Sequence, residues 1–246
     1  MKKFVFLLMV IGNFVLSAQK SEPMITDRPT QSATSAVVPK SRFLAEYGFI
    51  YEKINTNLEN ITFANFLFRY GLIQGLELRV TQNILQSGNT SNTNERISGY
   101  SPTTVGTKIH LADENGWIPQ ISIIAQVTLE NGEPAFSPDQ DVPEIRFNFS
   151  NALSEKVSLG YNLGLGVPAK QPYTLYMLVL GYTFTKGWTS FIESYLFLED
   201  NFSEFSINSG LIYMVSNRFQ LDISGGVNLY GVFPDYFIGF GAAREF

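Results

Sequence analysis

From residue 43 onward the sequence is apolar at every second position for stretches of about ten residues, broken by turn-forming residues. A period of two belongs to a strand with one face in an apolar medium and the other in a polar one. Twelve such segments can be read: 43–53, 61–71, 76–85, 103–112, 118–130, 144–153, 157–166, 173–184, 188–198, 205–215, 219–229 and 235–246. Beyond the first residues no apolar run reaches the roughly 20 residues a helix needs to cross a bilayer. A membrane position would therefore require a closed barrel, which leaves no strand edge unpaired. The connections support closure. Short turns "GLIQG", "DENGW", "SEK", "TKG" and "SNR" alternate with longer links "KINTNLEN", "QSGNTSNTNERISGYSP", "NGEPAFSPDQDVP", "VPAKQP", "EDNFSE" and "YGVFPD". A soluble sandwich has no reason to sort its loops by length, whereas an outer-membrane barrel has tight periplasmic turns and longer outer loops. The expected fold is all-β: a single antiparallel transmembrane barrel of about 12 strands, with both termini on the periplasmic side.

Only 16% of residues are charged and 14% are aromatic, which favours strands over helices. A formal charge of −5 speaks against a nucleic-acid partner, which needs a basic surface. Cysteine is absent, removing disulfides, thiolate metal sites and cysteine nucleophiles. The opening "MKKFVFLLMVIGNFVLSAQK" has two lysines, an apolar stretch to Leu16 and small residues Ser17 and Ala18. This pattern predicts a signal peptide over residues 1–18, cleaved after Ala18. Its removal leaves 15 basic against 22 acidic residues, a net charge of about −7.

Alternation assigns faces. Leu76, Leu78 and Val80 oppose Glu77, Arg79 and Thr81; Phe219, Leu221, Ile223, Val227 and Leu229 oppose Gln220, Asp222, Ser224 and Asn228. A lipid-facing Arg or Lys at mid-bilayer costs about 2–4 kcal/mol, so Arg69, Lys108, Arg146 and Glu193 should point inward. Two lumen walls result. Arg69, Glu77, Arg79, Lys108, His110, Arg146, Glu193 and Asp222 are candidates for a polar wall; Leu175, Met177, Phe191, Tyr195 and Met214 are candidates for an apolar one. Such a lumen could guide a phenol-like solute, ring along one wall and hydroxyl toward the other. The alternative is that these side chains fill a small barrel and the charges pair among themselves. Trp117, Trp188 and Tyr70 border short turns, and Tyr51, Phe63 and Tyr173 lie near long loops, so two aromatic belts are expected at the membrane interfaces.

The barrel proper is expected over residues 43–246. Residues 19–42 lack a strand pattern and group Asp27, Arg28 and Pro29. They form either a periplasmic tail or a plug in which Asp27 and Arg28 pair with lumen charges.

The closing "YFIGFGAAREF" places Phe246, Phe240, Ile238 and Tyr236 on one face. It resembles the carboxy-terminal signature that the barrel-assembly machinery recognises, with Phe246 as the signal; Arg244 departs from it but can snorkel at headgroup level. "MITDRPTQSATSAVVPKSRFLAEYGFIYE", "FRYGLIQGLELRV", "VGTKIHL", "FQLDISGG" and this ending together resemble the outer-membrane transporter family labelled putative MetA-pathway of phenol degradation. The resemblance implies the outer membrane of a Gram-negative bacterium, contact with lipid bilayer and lipopolysaccharide, and passage of small aromatic or hydrophobic solutes. A closed barrel working through its outer loops, chiefly residues 86–102, is the alternative.

Catalysis finds no support. His110 is the only histidine and falls at a strand end beside a short turn, away from the outer rim where a lipase-like site would meet its substrate. Glu77 and Glu193 lie on distant strands, so no acid–base pair is spaced for chemistry. "GLGVP" and "GFGAA" lack the helix of a nucleotide fold. No cofactor or transition metal is expected; Glu133, Asp139 and Asp141 form an acidic loop that could hold calcium or simply be solvated.

Overall fold

A computed structural model describes residues 23–89, 96–168, 171–200, 202–231 and 235–246. The expected signal peptide and its cleavage after Ala18 fall outside the described residues, as do parts of four long links, including most of "NTSNTN". All regular structure described is strand: β1 (Phe43–Lys53), β2 (Leu58–Ile73), β3 (Leu76–Asn89), β4 (Arg96–Tyr100), β5 (Thr104–Ala112), β6 (Gln120–Thr128), β7 (Val142–Ala152), β8 (Val157–Gly166), β9 (Tyr173–Thr185), β10 (Trp188–Glu199), β11 (Phe202–Ser216), β12 (Phe219–Tyr230) and β13 (Tyr236–Glu245).

Apart from β4 and β5, which both pair with β3, each strand pairs antiparallel with its sequence neighbours, and β1 pairs with β13 in the register Leu44↔Glu245 to Lys53↔Tyr236. The sheet therefore closes. β4 pairs with β3 at Ile84↔Tyr100, in line with β5, which pairs with β3 from Leu76↔Ile109 to Thr81↔Thr104. Together β4 and β5 make one interrupted stave, so the thirteen strands form a twelve-stave barrel. The sequence reading treats residues 86–102 as a single loop; instead β3 and β4 continue the hairpin upward from the barrel wall. Gly75 and Gly187 take φ of +78° and +83° in the short turns, the left-handed region that tight hairpins require.

The expected faces hold. Leu78, Val80, Leu221, Ile223, Val227 and Leu229 are exposed on the outside, whereas Glu77, Gln220, Asp222 and Ser224 are buried inside. Trp188 stacks on Tyr213 at 4.5 Å and Trp117 is exposed beside its turn, giving an aromatic band at the short-turn end. The opposite band is less regular. Tyr173 turns into the lumen, where its hydroxyl donates to Glu144 Oε2 at 2.9 Å and its ring fills the space left by Gly166. A buried phenol hydroxyl needs an acceptor, and Glu144 supplies one.

An outward apolar face implies a definite cost for charge. Ile223→Arg in the middle of β12 should lower the folding free energy in lipid vesicles by about 2–4 kcal/mol, against about 0–1 kcal/mol for Tyr230→Arg at the strand end; urea titrations of both variants check this.

Candidate functional site

The barrel interior is occupied by residues 24–42. The segment enters at the short-turn end, where the Met24 amide donates to Asn217 O at 2.8 Å, and leaves at the same end, where Ser41 N donates to Gly71 O at 2.7 Å. Between these points it follows the inner wall. Thr26 and Arg28 meet β12 at Gln220 and Asp222, Gln31 and Ser32 meet Glu193 on β10, and Ala33 meets Asn162 on β8. Ser35 then reaches Ser150 on β7 and Gln120 on β6, and Val38 reaches Glu77 on β3. Met24, Val38, Leu44 and Ala243 cluster where the two legs meet the wall, with Met214 packed against them.

Irregular backbone buried from water must find partners for its amides and carbonyls, and here wall side chains provide them. Glu46 accepts from the amides of Asp27 and Arg28, Glu193 from those of Gln31 and Ser32, and Glu77 from that of Val38. Asn162 exchanges two hydrogen bonds with Ala33, at 2.8 and 2.9 Å. Wall cations take the carbonyls: Arg69 those of Ile25 and Ala36, Lys108 those of Thr34 and Ala36.

Asp27 is the hub. Its carboxylate accepts from Arg79 Nη1 at 2.7 Å, Lys108 Nζ at 3.1 Å and its own segment's Thr34 amide at 2.9 Å. Arg69 grips Glu77 with two bonds of 2.9 Å and reaches Glu46 at 3.1 Å; Arg79 also donates to Glu77 at 2.8 Å. Asp27, Glu46 and Glu77 thus face Arg69, Arg79 and Lys108, and the cluster is neutral. Burial by itself would raise the Asp27 carboxyl, but the charges of Arg69, Lys108 and Arg79 outweigh it and hold the group well below the ordinary carboxylate range. Arg28 pairs with Asp222 at 2.9 Å, lying over Gly48 and Gly241, where an added Cβ would come within 1.9 and 2.4 Å of its guanidinium.

The structure brings Asp27, Arg69, Glu77, Arg79 and Lys108 into one network, Arg28 and Asp222 into a second, and sets Glu193 beside the apex of the segment. Arg146 stands apart, pairing with Glu144 at 2.8 Å and touching the Gln31 carbonyl at 3.5 Å. His110 lies at the turn against Asp113 at 3.1 Å, away from the other wall charges. The apolar candidates are spread over the barrel height. Met214 sits at the base opposite Gln220, Phe191 packs over Gly210, Tyr195 pairs with Met177, and Leu175 lies against Gly164 near the long loops. Phe246 is exposed on the outer face, its ring 5.9 Å from that of Phe43 and 5.2 Å from the Arg244 guanidinium. Of the acidic loop, Asp141 caps the Glu130 amide at 2.9 Å and Glu133 lies over Gly99; no metal-holding acid cluster occurs among the described residues. Sequence reasoning missed Glu46, Glu144 and Asn162. Parity within β1 marks Glu46 as inward, since it shares its face with Leu44 and opposes Tyr47.

A family model described as "Putative MetA-pathway of phenol degradation" matches residues 26–246. The chain belongs to this phenol-degradation family. The match begins at Thr26, so it takes in the lumen segment as well as the barrel. No curated protein matches the chain. Among solved structures, the fold is similar to the COG4313 outer membrane channel from Pseudomonas putida F1, at a TM-score of 0.68 and 10% identity over 89% of this chain and 100% of that one. It is also similar to the KdgM porin, at 0.57 and 12% identity over 82% and 99%. The CymD monoaromatic hydrocarbon channel follows at 0.50 and 7% identity over 85% and 89%. These likenesses concern the fold: this member of the phenol-degradation family is an outer-membrane type of barrel.

Asp27 belongs to no strand, so weakening it should free the segment before it unfolds the barrel. Asp27→Asn leaves Arg69, Arg79 and Lys108 short of one buried anion, a loss of about 3–5 kcal/mol. Hydrogen exchange should then show residues 24–38 deprotected while β1 and β12 stay protected. A depressed carboxyl stabilises docking above the ordinary value and is lost as pH falls through the folded one. In the unsubstituted protein, protection should therefore be full at pH 5 and decline only below about 3.9.

Proposed function

We propose that this protein is an outer-membrane channel or facilitator for small aromatic or hydrophobic solutes, with residues 24–42 acting as a plug. The carrying observation is that this segment is inserted from one mouth and held chiefly by ion pairs and hydrogen bonds to a charged wall, with a small apolar cluster at its base. Such an attachment can be released without opening the barrel ladder, whereas a solid apolar core could not. The family description and the named channels with this fold support the reading. Phe191, Tyr195 and Met177 would supply the ring-binding wall. In the same reading Ala18 ends a cleaved signal peptide, Phe246 addresses the chain to the barrel-assembly machinery, and the outward face meets lipid and lipopolysaccharide. No catalytic step is involved.

Single-channel conductance of the refolded mature protein and of a variant lacking residues 24–40, both in planar bilayers, tests this. The deletion should raise conductance, and phenol should reduce it more than a sugar of similar size does. Phe191→Ala and Tyr195→Ala should remove the phenol effect. If both the intact and the deleted barrel insert yet stay silent, the lumen is not a pathway, and a closed barrel working through residues 86–102 becomes the better account.

A further inference from the structure

Directly above the Asp27 hub, toward the long loops, lies a cavity of about 200 Å³. Residues 27–33 form its floor, and Ile50, Leu67, Arg79 and Arg146 stand in its sides. Five charged side chains line it, Asp27 and Glu46 against Arg28, Arg79 and Arg146, and Glu144 just outside the lining holds Arg146 at 2.8 Å. The two carboxylates are already supplied with donors, Asp27 by Arg79, Lys108 and Thr34, and Glu46 by two amides and Arg69. Arg28 is taken by Asp222. What remains is donor capacity. Arg79, whose Nη1 is shared by Asp27 and Glu77, has no acceptor at Nε among the described residues, and Arg146, bonded to Glu144 through Nε and Nη2, makes only a long 3.5 Å contact from Nη1 to Gln31 O. A buried guanidinium nitrogen without an acceptor selects for an anionic oxygen, and a carboxylate matches the guanidinium fork.

Size and the other lining atoms narrow the class further. An apolar cavity of about 150 Å³ takes one benzene ring, so this space suits one ring bearing one small polar group. Ile50, Leu67 and Pro29 offer that ring apolar contact.

We propose that this vestibule floor is a binding site for a monocyclic aromatic carboxylate, with Arg79 and Arg146 holding the carboxylate and Ile50, Leu67 and Pro29 the ring. This deepens the channel reading, resting on it only for the claim that the site lies on the solute's path. The site stands on the loop side of the plug, so an acid arriving from outside meets it before the hub. A bound carboxylate on Arg79 competes with Asp27 and Glu77 for the same guanidinium, which couples occupancy to the plug's strongest anchor.

Isothermal titration calorimetry on the refolded full-length barrel at neutral pH tests the site without any transport assay. The probes are benzoate, benzyl alcohol (the same ring without charge) and galacturonate (an acid on a polar ring). Benzoate should bind at one site about tenfold or more tighter than either of the others, since a charge-assisted bond is worth at least a factor of that order. Arg79→Gln and Arg146→Gln should each weaken benzoate about tenfold while leaving benzyl alcohol unchanged. Arg79→Gln also touches the hub, so Leu67→Trp serves as the second variant: it fills the cavity while leaving every ion pair of the hub in place, and it should abolish benzoate binding. The proposal is overturned if benzyl alcohol or galacturonate binds as tightly as benzoate, or if Leu67→Trp still binds benzoate. Conductance separates the two readings. A silent barrel that binds benzoate defeats the channel and keeps the site, and a phenol-blocked channel indifferent to benzoate does the reverse.

Discussion

Irregular backbone at membrane depth cannot turn to bulk water for its amides and carbonyls, and everything inside this barrel follows from how those groups are satisfied. The wall uses charged side chains as caps. Carboxylates, which only accept, take the segment's amides; guanidinium and ammonium groups, which only donate, take its carbonyls. Glu46 and Glu193 each receive two successive amides, and Arg69 and Lys108 each receive carbonyls from residues apart in the segment. Once acids and bases are buried for this purpose they must neutralise one another, which accounts for the three-against-three cluster at Asp27. The ion pairs are thus a consequence of threading a loop through a barrel.

Barrel and segment differ in what holds them. Each stave is hydrogen-bonded on both sides and the ring has no edge, so the barrel opens only cooperatively. The segment has an apolar cluster limited to Met24, Val38, Leu44 and Ala243 with Met214, and otherwise depends on polar bonds whose net value is small after desolvation. Local opening with the barrel intact is the lower-energy event. That ordering is what a gate requires.

Much of this was legible in the sequence because a membrane barrel imposes one rule on every second residue. β1 and β8 begin and end where the alternation does, at 43–53 and 157–166. The rule fails where its cause is missing. Arg96–Tyr100 extend the wall beside the outer part of β3, and their two faces do not divide into lipid and lumen, so no alternation marks β4. A position near a loop marks Tyr173 as an interfacial aromatic, but an inward hydroxyl partner outranks the belt. The segment's route was not readable. Its bonds join residues as distant as Arg28 and Asp222, and nothing local in "TDRPTQSATS" encodes which wall acid each amide will meet. Only the pairing of Asp27 and Arg28 with lumen charge could be framed in advance, because a charge entering a lumen must be compensated.

The wall also records the segment's shape where it carries no side chain. Gly48 and Gly241 leave room for the Arg28 guanidinium, and Gly71 leaves room for the Pro39 carbonyl, which an added Cβ would approach to 2.0 Å. Withdrawal of the segment would therefore expose a notch as well as a bore, and one with a direction. Arg69, Arg79, Lys108 and Arg146 stand on β2, β3, β5 and β7, while Glu193 and Asp222 stand across the ring on β10 and β12. Glu46, Glu77 and Glu144 remain paired with the first group and cancel most of it. What survives is a field across the bore, pointing from the β2–β7 arc toward the β10–β12 arc. In a narrow low-dielectric passage such a field orients a dipolar solute before contact. On the channel reading proposed above, a ring with one polar end would travel with that end toward the arginines and its ring toward Phe191 and Tyr195 on the opposite arc, so the charges that hold the segment would align the solute once the segment withdraws.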